Sequence, residues 1–167
     1  IDTRALTRHL RERGAMRVGI SSLEPSADTL LERVLLSPPM AGSALTADVT
    51  TRQPYVVPAV GERRFTVAAV DLGIKAMTPR LMAERGIETH VVPVTSTIAD
   101  IVALQPDGLF LSNGPGDPAT ADHAVDVARE ALNRGVPVFG ICFGNQVLGR
   151  ALGFGTYKLR YGHHGIN

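Results

Sequence analysis

The stretch Phe65-Thr66-Val67-Ala68-Ala69-Val70-Asp71 decides the fold of most of this chain. Its apolar residues fall on consecutive positions, which is typical of a strand covered on both faces in a parallel sheet. Short apolar runs of this kind recur after it and alternate with helical stretches. The predicted strands are 65–71, 88–92, 108–111 and 137–141, and the predicted helices are 75–85, 98–104, 121–134 and 144–152. The sequence therefore predicts a doubly wound α/β domain with a mostly parallel sheet, in which ligands bind beyond the carboxyl ends of the strands.

The residues before this domain have a different pattern. Residues 2–14 are predicted to form an amphipathic helix, and residues 27–36 a second helix capped by Ser26. Residues 38–64 contain four prolines and no sustained period, which indicates a linker or domain boundary. We therefore expect a fragment of a smaller domain with its linker at residues 1–60, followed by the α/β domain at 61–167.

The overall composition excludes several classes of partner. The 167 residues include 17 Lys and Arg against 16 Asp and Glu, far from the basic excess of proteins that bind nucleic acid or anionic lipid. No apolar run approaches the ~18 residues that span a bilayer, and no signal-peptide core follows the first residues, so we expect a soluble cytoplasmic protein. The single cysteine, Cys142, excludes an internal disulfide and a cysteine-based metal cluster. It is either a small core residue or a reactive thiol.

The segment Gly140-Ile141-Cys142-Phe143-Gly144, which we call the cysteine turn, favours the reactive thiol. It joins a predicted strand to a predicted helix, and glycines two residues either side of a nucleophile suit a strained strand-to-helix turn. Cys142 would stand exposed where the helix dipole favours the thiolate over the thiol. The helix amides, that of Phe143 in particular, could donate to an oxyanion formed when the thiolate attacks a carbonyl. A buried cysteine at the end of a core strand is the alternative, and the glycines make the nucleophile the preferred interpretation.

A second unusual loop, Ser112-Asn113-Gly114-Pro115-Gly116-Asp117-Pro118, follows the neighbouring predicted strand, and we call it the Gly-Pro loop. Two glycines and two prolines in seven residues force a rigid loop with exposed backbone amides, which suit the other half of an oxyanion hole. An ordinary turn with Asp117 as a helix cap is the alternative. Because the loop and the cysteine turn both follow strands at their carboxyl ends, we expect them to face the same crevice.

Together, residues 111–118 and 137–146 closely resemble the class I (triad) glutamine amidotransferases, whose α/β fold is flavodoxin-like. Three further segments, 71–75, 156–167 and 1–7, look like the small subunit of carbamoyl-phosphate synthetase. The cysteine turn is common to many amidotransferases, whereas the histidine pair flanked by glycines in the second segment is more particular to this subunit. By this resemblance, the residues before the α/β domain are the later part of an N-terminal domain associated with contacts to the large subunit.

The resemblance implies that Cys142 attacks the side-chain amide of L-glutamine, which releases ammonia and leaves a glutamyl thioester for water to hydrolyse. Carried over by motif position, the amides of Gly114 and Phe143 stabilise the oxyanion, and these two residues bind the glutamine together with Gly116 and Gln146. The ammonia passes to a large subunit that makes carbamoyl phosphate from bicarbonate and ATP, for arginine and pyrimidine biosynthesis. No metal or cofactor is expected on this chain, because ATP and magnesium belong to the large subunit.

One part of the family pattern is absent. The family base is a histidine in a His-Pro-Glu motif, and none of the five histidines is followed by Pro-Glu. His163 and His164 are interpreted as neither a triad nor a metal pair, because adjacent strand residues point to opposite faces and no acidic residue accompanies them. The catalytic His and Glu are therefore expected beyond Asn167, and this segment alone would be inactive. The alternatives are another triad amidotransferase of the anthranilate- or GMP-synthase kind, and a non-catalytic interaction module if 167 residues is the whole molecule.

Overall fold

The computed structural model describes residues 1–23 and 26–162. Contacts divide the chain into two compact units: residues 42–156, and residues 1–41 together with the described residues from Tyr157 onward. The boundary between the two units after residue 41 falls earlier in the chain than the predicted domain boundary near residue 60. The reason is that residues 42–57, which have the composition of a linker, hydrogen-bond and pair with the larger unit, as described below. The two-domain organisation itself stays a prediction.

The smaller unit contains two helices, α1 (Thr3–Arg13) and α2 (Ala27–Leu36). Both agree with the predicted ranges, because their caps are local: the Asp2 carboxylate accepts from the Ala5 amide, and the Ser26 hydroxyl from the Thr29 amide. Every residue of both helices is at least partly exposed. Among the described residues, no helix of either unit is long and apolar enough to cross a membrane.

The larger unit is built on one five-stranded sheet with the strand order β1-β3-β2-β4-β5. Strands β2 to β5 are parallel, and β1 pairs with β3 in the antiparallel direction. The four parallel strands confirm the predicted strands to within one residue at each end. Strand β1 was missed, because it is three residues long and lies between two prolines. The strands are β1 (Tyr55–Val57), β2 (Phe65–Asp71), β3 (Ile87–Pro93), β4 (Gly108–Leu111) and β5 (Val138–Gly140).

Helices cover both faces of this sheet, as predicted. Ala68 and Val70 of β2 belong to the larger apolar cluster on one face, while Ala69 between them belongs to the cluster on the other. The larger cluster takes residues from α5, α6 and α7, and the smaller one is packed by Met82 of α4. The doubly wound α/β fold is therefore confirmed. The helices of this unit are α3 (Thr46–Val49), α4 (Met77–Ala83), α5 (Ile98–Ala103), α6 (Asp122–Asn133) and α7 (Phe143–Ala151).

Candidate active site

The Gly-Pro loop and the cysteine turn lie side by side at the carboxyl edge of the sheet. Leu111, the last residue of β4, is paired with Gly140, the last residue of β5. A direct hydrogen bond then joins the two segments, because the Gly144 amide donates to the Ser112 carbonyl oxygen at 3.0 Å. The structure thus brings together the two segments that the sequence analysis expected in one crevice.

Cys142 occupies a strained position between β5 and α7. Its backbone angles are φ 56° and ψ −112°, a region that side chains other than glycine rarely adopt. In the described part of the chain, Gln105 is the only other non-glycine residue with a positive φ. The cysteine is exposed and is the N-cap residue of α7. This is the geometry of a nucleophile on a sharp strand-to-helix turn.

The glycines of the cysteine turn are required by its packing. A β-carbon on Gly140 would collide with the Gly144 carbonyl group, and one on Gly144 would collide with the Leu111 carbonyl group. In both cases the obstacle is backbone, which cannot rotate away as a side chain would. The turn can therefore approach the end of β4 closely only with glycine at these two positions.

Two amides in the first turn of α7, those of Phe143 and Asn145, have no hydrogen-bond partner among the described residues. The Gly144 amide donates to Ser112, and the Gln146 amide donates to the Cys142 carbonyl oxygen at 3.1 Å. Within the described residues, no hydrogen bond uses the amide of Phe143, although the Phe143 side chain is buried. This amide is therefore available to an oxyanion beside Cys142. The side chain of Gln146, on the same turn, is exposed.

The Gly-Pro loop begins at a fully buried serine. The Ser112 hydroxyl accepts from the Leu72 amide at 2.9 Å and donates to the Asn113 carbonyl oxygen at 2.8 Å. The Asn113 side-chain amide donates to the Gly73 carbonyl oxygen at 2.8 Å. A β-carbon on Gly114 would collide with the Leu72 carbonyl oxygen. The start of the loop is thus held against the end of β2, and no described residue accepts a hydrogen bond from the Gly114 amide.

The far end of the loop is held by residues 42–45, which sequence reasoning treated as linker. The Asp117 amide donates to the Ser43 carbonyl oxygen at 2.9 Å, and the Asp117 carboxylate accepts from the Gly42 amide at 2.8 Å. Gly116 has a φ of 99°, and a β-carbon there would lie 2.6 Å from the Ser43 oxygen. Asp117 also accepts from the Ala119 amide, so the cap expected under the alternative interpretation of this loop is present alongside these longer-range bonds.

Asp71 is a second anchor that sequence reasoning missed. Its carboxylate is buried and accepts from three backbone amides, those of Thr51, Gly73 and Ile74, at 2.7, 2.9 and 2.7 Å. The buried charge is therefore satisfied by hydrogen bonds. Burial, together with the negative charge of Asp71, raises the pKa of Tyr55 above its ordinary value. An acidic residue at the end of an apolar strand was the available signal.

Two of the three described histidines, His90 and His123, make contacts away from the cysteine thiol. The ring of His90 contacts the Glu88 carboxylate at 3.0 Å, and the ring of His123 contacts the Ser96 carbonyl oxygen at 3.0 Å. No hydrogen bond joins any described histidine to Cys142. His163 and His164 lie outside the described residues. Across residues 1–23 and 26–162, no group of three or more His, Cys, Asp or Glu side chains is placed to hold a metal ion.

Comparison with curated proteins finds relatives that match the whole of this chain. The chain matches over its whole length the carbamoyl phosphate synthase small chains of Streptomyces coelicolor (68% identity), Mycolicibacterium paratuberculosis (57%) and Bifidobacterium longum (53%). It spans 44%, 45% and 45% of the length of these three proteins.

A family model matches most of the α/β domain. The model described as glutamine amidotransferase class-I matches residues 68–167, which is more than half of the chain. The match contains both the Gly-Pro loop and the cysteine turn, the two segments that lie side by side at the carboxyl edge of the sheet. This chain therefore belongs to the class-I glutamine amidotransferase family.

Proposed function

We propose that this chain is the part of a carbamoyl-phosphate synthetase small subunit that carries the nucleophile for glutamine hydrolysis. The observation that carries the proposal is Cys142, an exposed thiol held at a strained φ at the N-terminus of α7. The helix dipole at that position stabilises a thiolate. The thiolate attacks the side-chain amide carbon of L-glutamine, and a C–S bond forms while the carbonyl oxygen becomes an oxyanion.

The oxyanion is stabilised by the amides of Gly114 and Phe143. Support comes from the absence of a hydrogen-bond acceptor for either amide within the described residues, and from the bond between Gly144 and Ser112 that holds their segments together. Collapse of the tetrahedral intermediate breaks the C–N bond, and the protonated nitrogen leaves as ammonia. Water then hydrolyses the glutamyl thioester to glutamate and restores the thiol. Gly116 and Gln146, with the two oxyanion residues, bind the glutamine in this proposal.

A base is needed to protonate the leaving nitrogen and to activate the water. We expect it to be a histidine oriented by a glutamate, both beyond Asn167. Support comes from the relatives, of whose length this chain spans less than half. On this proposal the 167 residues alone could be alkylated at Cys142 by a thiol reagent but would not sustain glutamine hydrolysis.

The ammonia is proposed to pass to a large subunit that makes carbamoyl phosphate from bicarbonate and ATP, for arginine and pyrimidine biosynthesis. Support comes from 68% identity, over the whole chain, to a protein named carbamoyl phosphate synthase small chain. ATP and magnesium belong to the large subunit, and no cofactor is proposed here. Residues 1–60 are proposed to be the end of an N-terminal domain that contacts that subunit.

The test uses the full-length small subunit assembled with its large subunit. Replacing Cys142→Ser is expected to abolish carbamoyl-phosphate synthesis from glutamine and to leave synthesis from ammonia unchanged. Gly149→Ala, on the same helix in open space, is the matched control and should leave both activities intact. Wild-type glutamine-dependent synthesis by the serine variant would refute the proposed function.

A further inference from the structure

We propose that Ser112 is a positioning residue that sets both oxyanion amides, using its hydroxyl for Gly114 and its carbonyl group for Phe143. The inference deepens the proposed function and rests on it, since it takes the oxyanion roles of those two amides as given. Ser112 itself contacts no reacting atom in this proposal. It lies at the junction of β2, β4 and α7, and its exposure is 0%.

The hydroxyl acts on Gly114 through Leu72. It accepts from the Leu72 amide at 2.9 Å, and Leu72 is itself 0% exposed. The carbonyl oxygen of Leu72 is the surface against which Gly114 rests, because a β-carbon on Gly114 would collide with it. The hydroxyl proton is also used, since it is donated to the Asn113 carbonyl oxygen at 2.8 Å, one residue before Gly114. Both hydrogen-bonding capacities of the hydroxyl therefore fix the start of the Gly-Pro loop.

The carbonyl group acts on Phe143 through Gly144. It accepts from the Gly144 amide at 3.0 Å, and the same amide also donates to the Ile141 carbonyl oxygen at 3.0 Å. The two bonds together fix the peptide group next to the Phe143 amide. The Ser112 amide in turn donates to the Val70 carbonyl oxygen at 3.3 Å, so the residue is tied to the sheet as well. One residue thus connects the rigid sheet to both segments of the oxyanion site. Displacement of either amide by a fraction of an ångström weakens a preorganised site of this kind.

The hydroxyl can be removed selectively. Ser112→Ala deletes both hydroxyl bonds but keeps the backbone bonds to Gly144 and Val70. In the full-length complex, we expect kcat for glutamine-dependent synthesis to fall about 10- to 100-fold, less than loss of a whole oxyanion donor, with KM for glutamine changed by less than about 3-fold. Synthesis from ammonia should not change. Alkylation of Cys142 by iodoacetamide should stay within about 2-fold of wild type, because it develops no oxyanion.

The matched control is Thr89→Val, which removes another hydroxyl of 0% exposure from the same sheet. Among the described residues, the Met82 sulfur, at 3.5 Å, is the only hydrogen-bond partner of that hydroxyl. Thr89→Val should leave kcat unchanged, and Ser112→Thr, which keeps the hydroxyl, should recover most of the kcat lost in Ser112→Ala. If Ser112→Ala does not assemble, Ser112→Cys, which fills the site with a weakly bonding thiol, is expected to show the same fall in kcat.

The outcomes are distinct. A wild-type kcat in Ser112→Ala or Ser112→Cys, or an equal loss in Thr89→Val, would overturn the positioning role while Cys142→Ser still abolished glutamine use. If Cys142→Ser kept glutamine use, the proposed function would fall, and the positioning role with it.

Discussion

The carbonyl oxygen of Leu111 occupies the space that a β-carbon on Gly144 would need. The obstacle is the backbone of a central strand, so relief would require β4 or α7 to move. We expect Gly144→Ala to lower the free energy of unfolding by about 3 kcal/mol or more, in the range of severe overpacking. Urea denaturation measures this change.

The control for that substitution lies five residues away on the same helix, at Gly149, where nothing is within 4 Å of a β-carbon. Gly149→Ala should raise the free energy of unfolding by up to about 1 kcal/mol, because alanine favours the helix over glycine. Equal effects from the two substitutions would contradict the close approach of α7 to β4.

Because the backbone of Cys142 is strained, we expect a glycine substitution at this position to stabilise the protein. At φ 56° and ψ −112° a β-carbon costs about 1–3 kcal/mol, whereas glycine adds roughly 0.5–1 kcal/mol of unfolded-state entropy. Cys142→Gly should therefore stabilise the protein by about 1 kcal/mol while it removes the thiol. Cys142→Ala, which keeps the β-carbon and the strain, should stay close to wild type. Thermal unfolding of both variants decides the point, and a glycine variant less stable than the alanine variant would show that the turn is unstrained.

Glu88 predicts a pH dependence of stability. The hydrogen bond from His90 chiefly lowers the pKa of Glu88 below its ordinary value of 4.5; burial opposes this, and Arg63 lowers it further. A carboxyl group whose pKa is lower in the folded state stabilises that state above the unfolded pKa, and this contribution disappears as the pH falls through the folded pKa. Glu88→Gln should therefore be less stable than wild type at pH 7, and the difference should shrink below about pH 4.5.

The control is Glu62→Gln, which replaces an exposed carboxylate next to Arg63 in the chain. Its unfolding curves should match wild type at both ends of the pH range. A stability difference for Glu88→Gln that stayed constant with pH would argue against the ionised carboxylate as the cause.

We expect replacement of Asp71 by a neutral residue to cause a large loss in the free energy of unfolding. Asp71→Ala leaves three backbone amides, those of Thr51, Gly73 and Ile74, without their acceptor in a buried site. Each unsatisfied buried donor costs about 1–3 kcal/mol, so we expect a loss of at least about 3 kcal/mol in urea denaturation. Asp48→Ala, at an exposed carboxylate of α3, should cost no more than about 0.5 kcal/mol. Comparable losses at both positions would refute the anchoring role.

The parts of this fold that sequence reasoning found are those with local signals. The four parallel strands are marked by their own apolar runs, and the cysteine turn by its glycines. Residues 42–57 were not found, because their contacts are remote in sequence: Gly42 bonds to Asp117, 75 residues away, and β1 pairs with β3 across about 35 residues. A proline-rich composition is a local property of the sequence. It indicates a linker whether or not the segment makes contacts that are remote in sequence.

The candidate site divides in the same way. Cys142 and Phe143 could be selected because a cysteine between glycines joins a predicted strand to a predicted helix, whereas Gly114 was selected only through the family resemblance. Ser112 could not, because its importance lies in which carbonyl and amide groups surround it, and that depends on the strand order β2-β4-β5. The expected roles of Gly116 and Gln146 stay predictions, as does the position of the histidine base.

The bond from Gly144 to the carbonyl oxygen of Ser112 also bears on how mutational scans of this protein should be interpreted. Every amino acid has that carbonyl group, so no side-chain substitution at position 112 removes the bond. A saturation scan at position 112 would measure only the effect of losing the hydroxyl group. It would therefore underestimate the contribution of Ser112 to the site. An amide-to-ester replacement at residue 144, introduced by chemical ligation, deletes the donor instead, together with the 3.0 Å bond that the same amide makes to the Ile141 carbonyl oxygen. It would therefore expose the joint contribution of these two bonds, which genetics cannot reach.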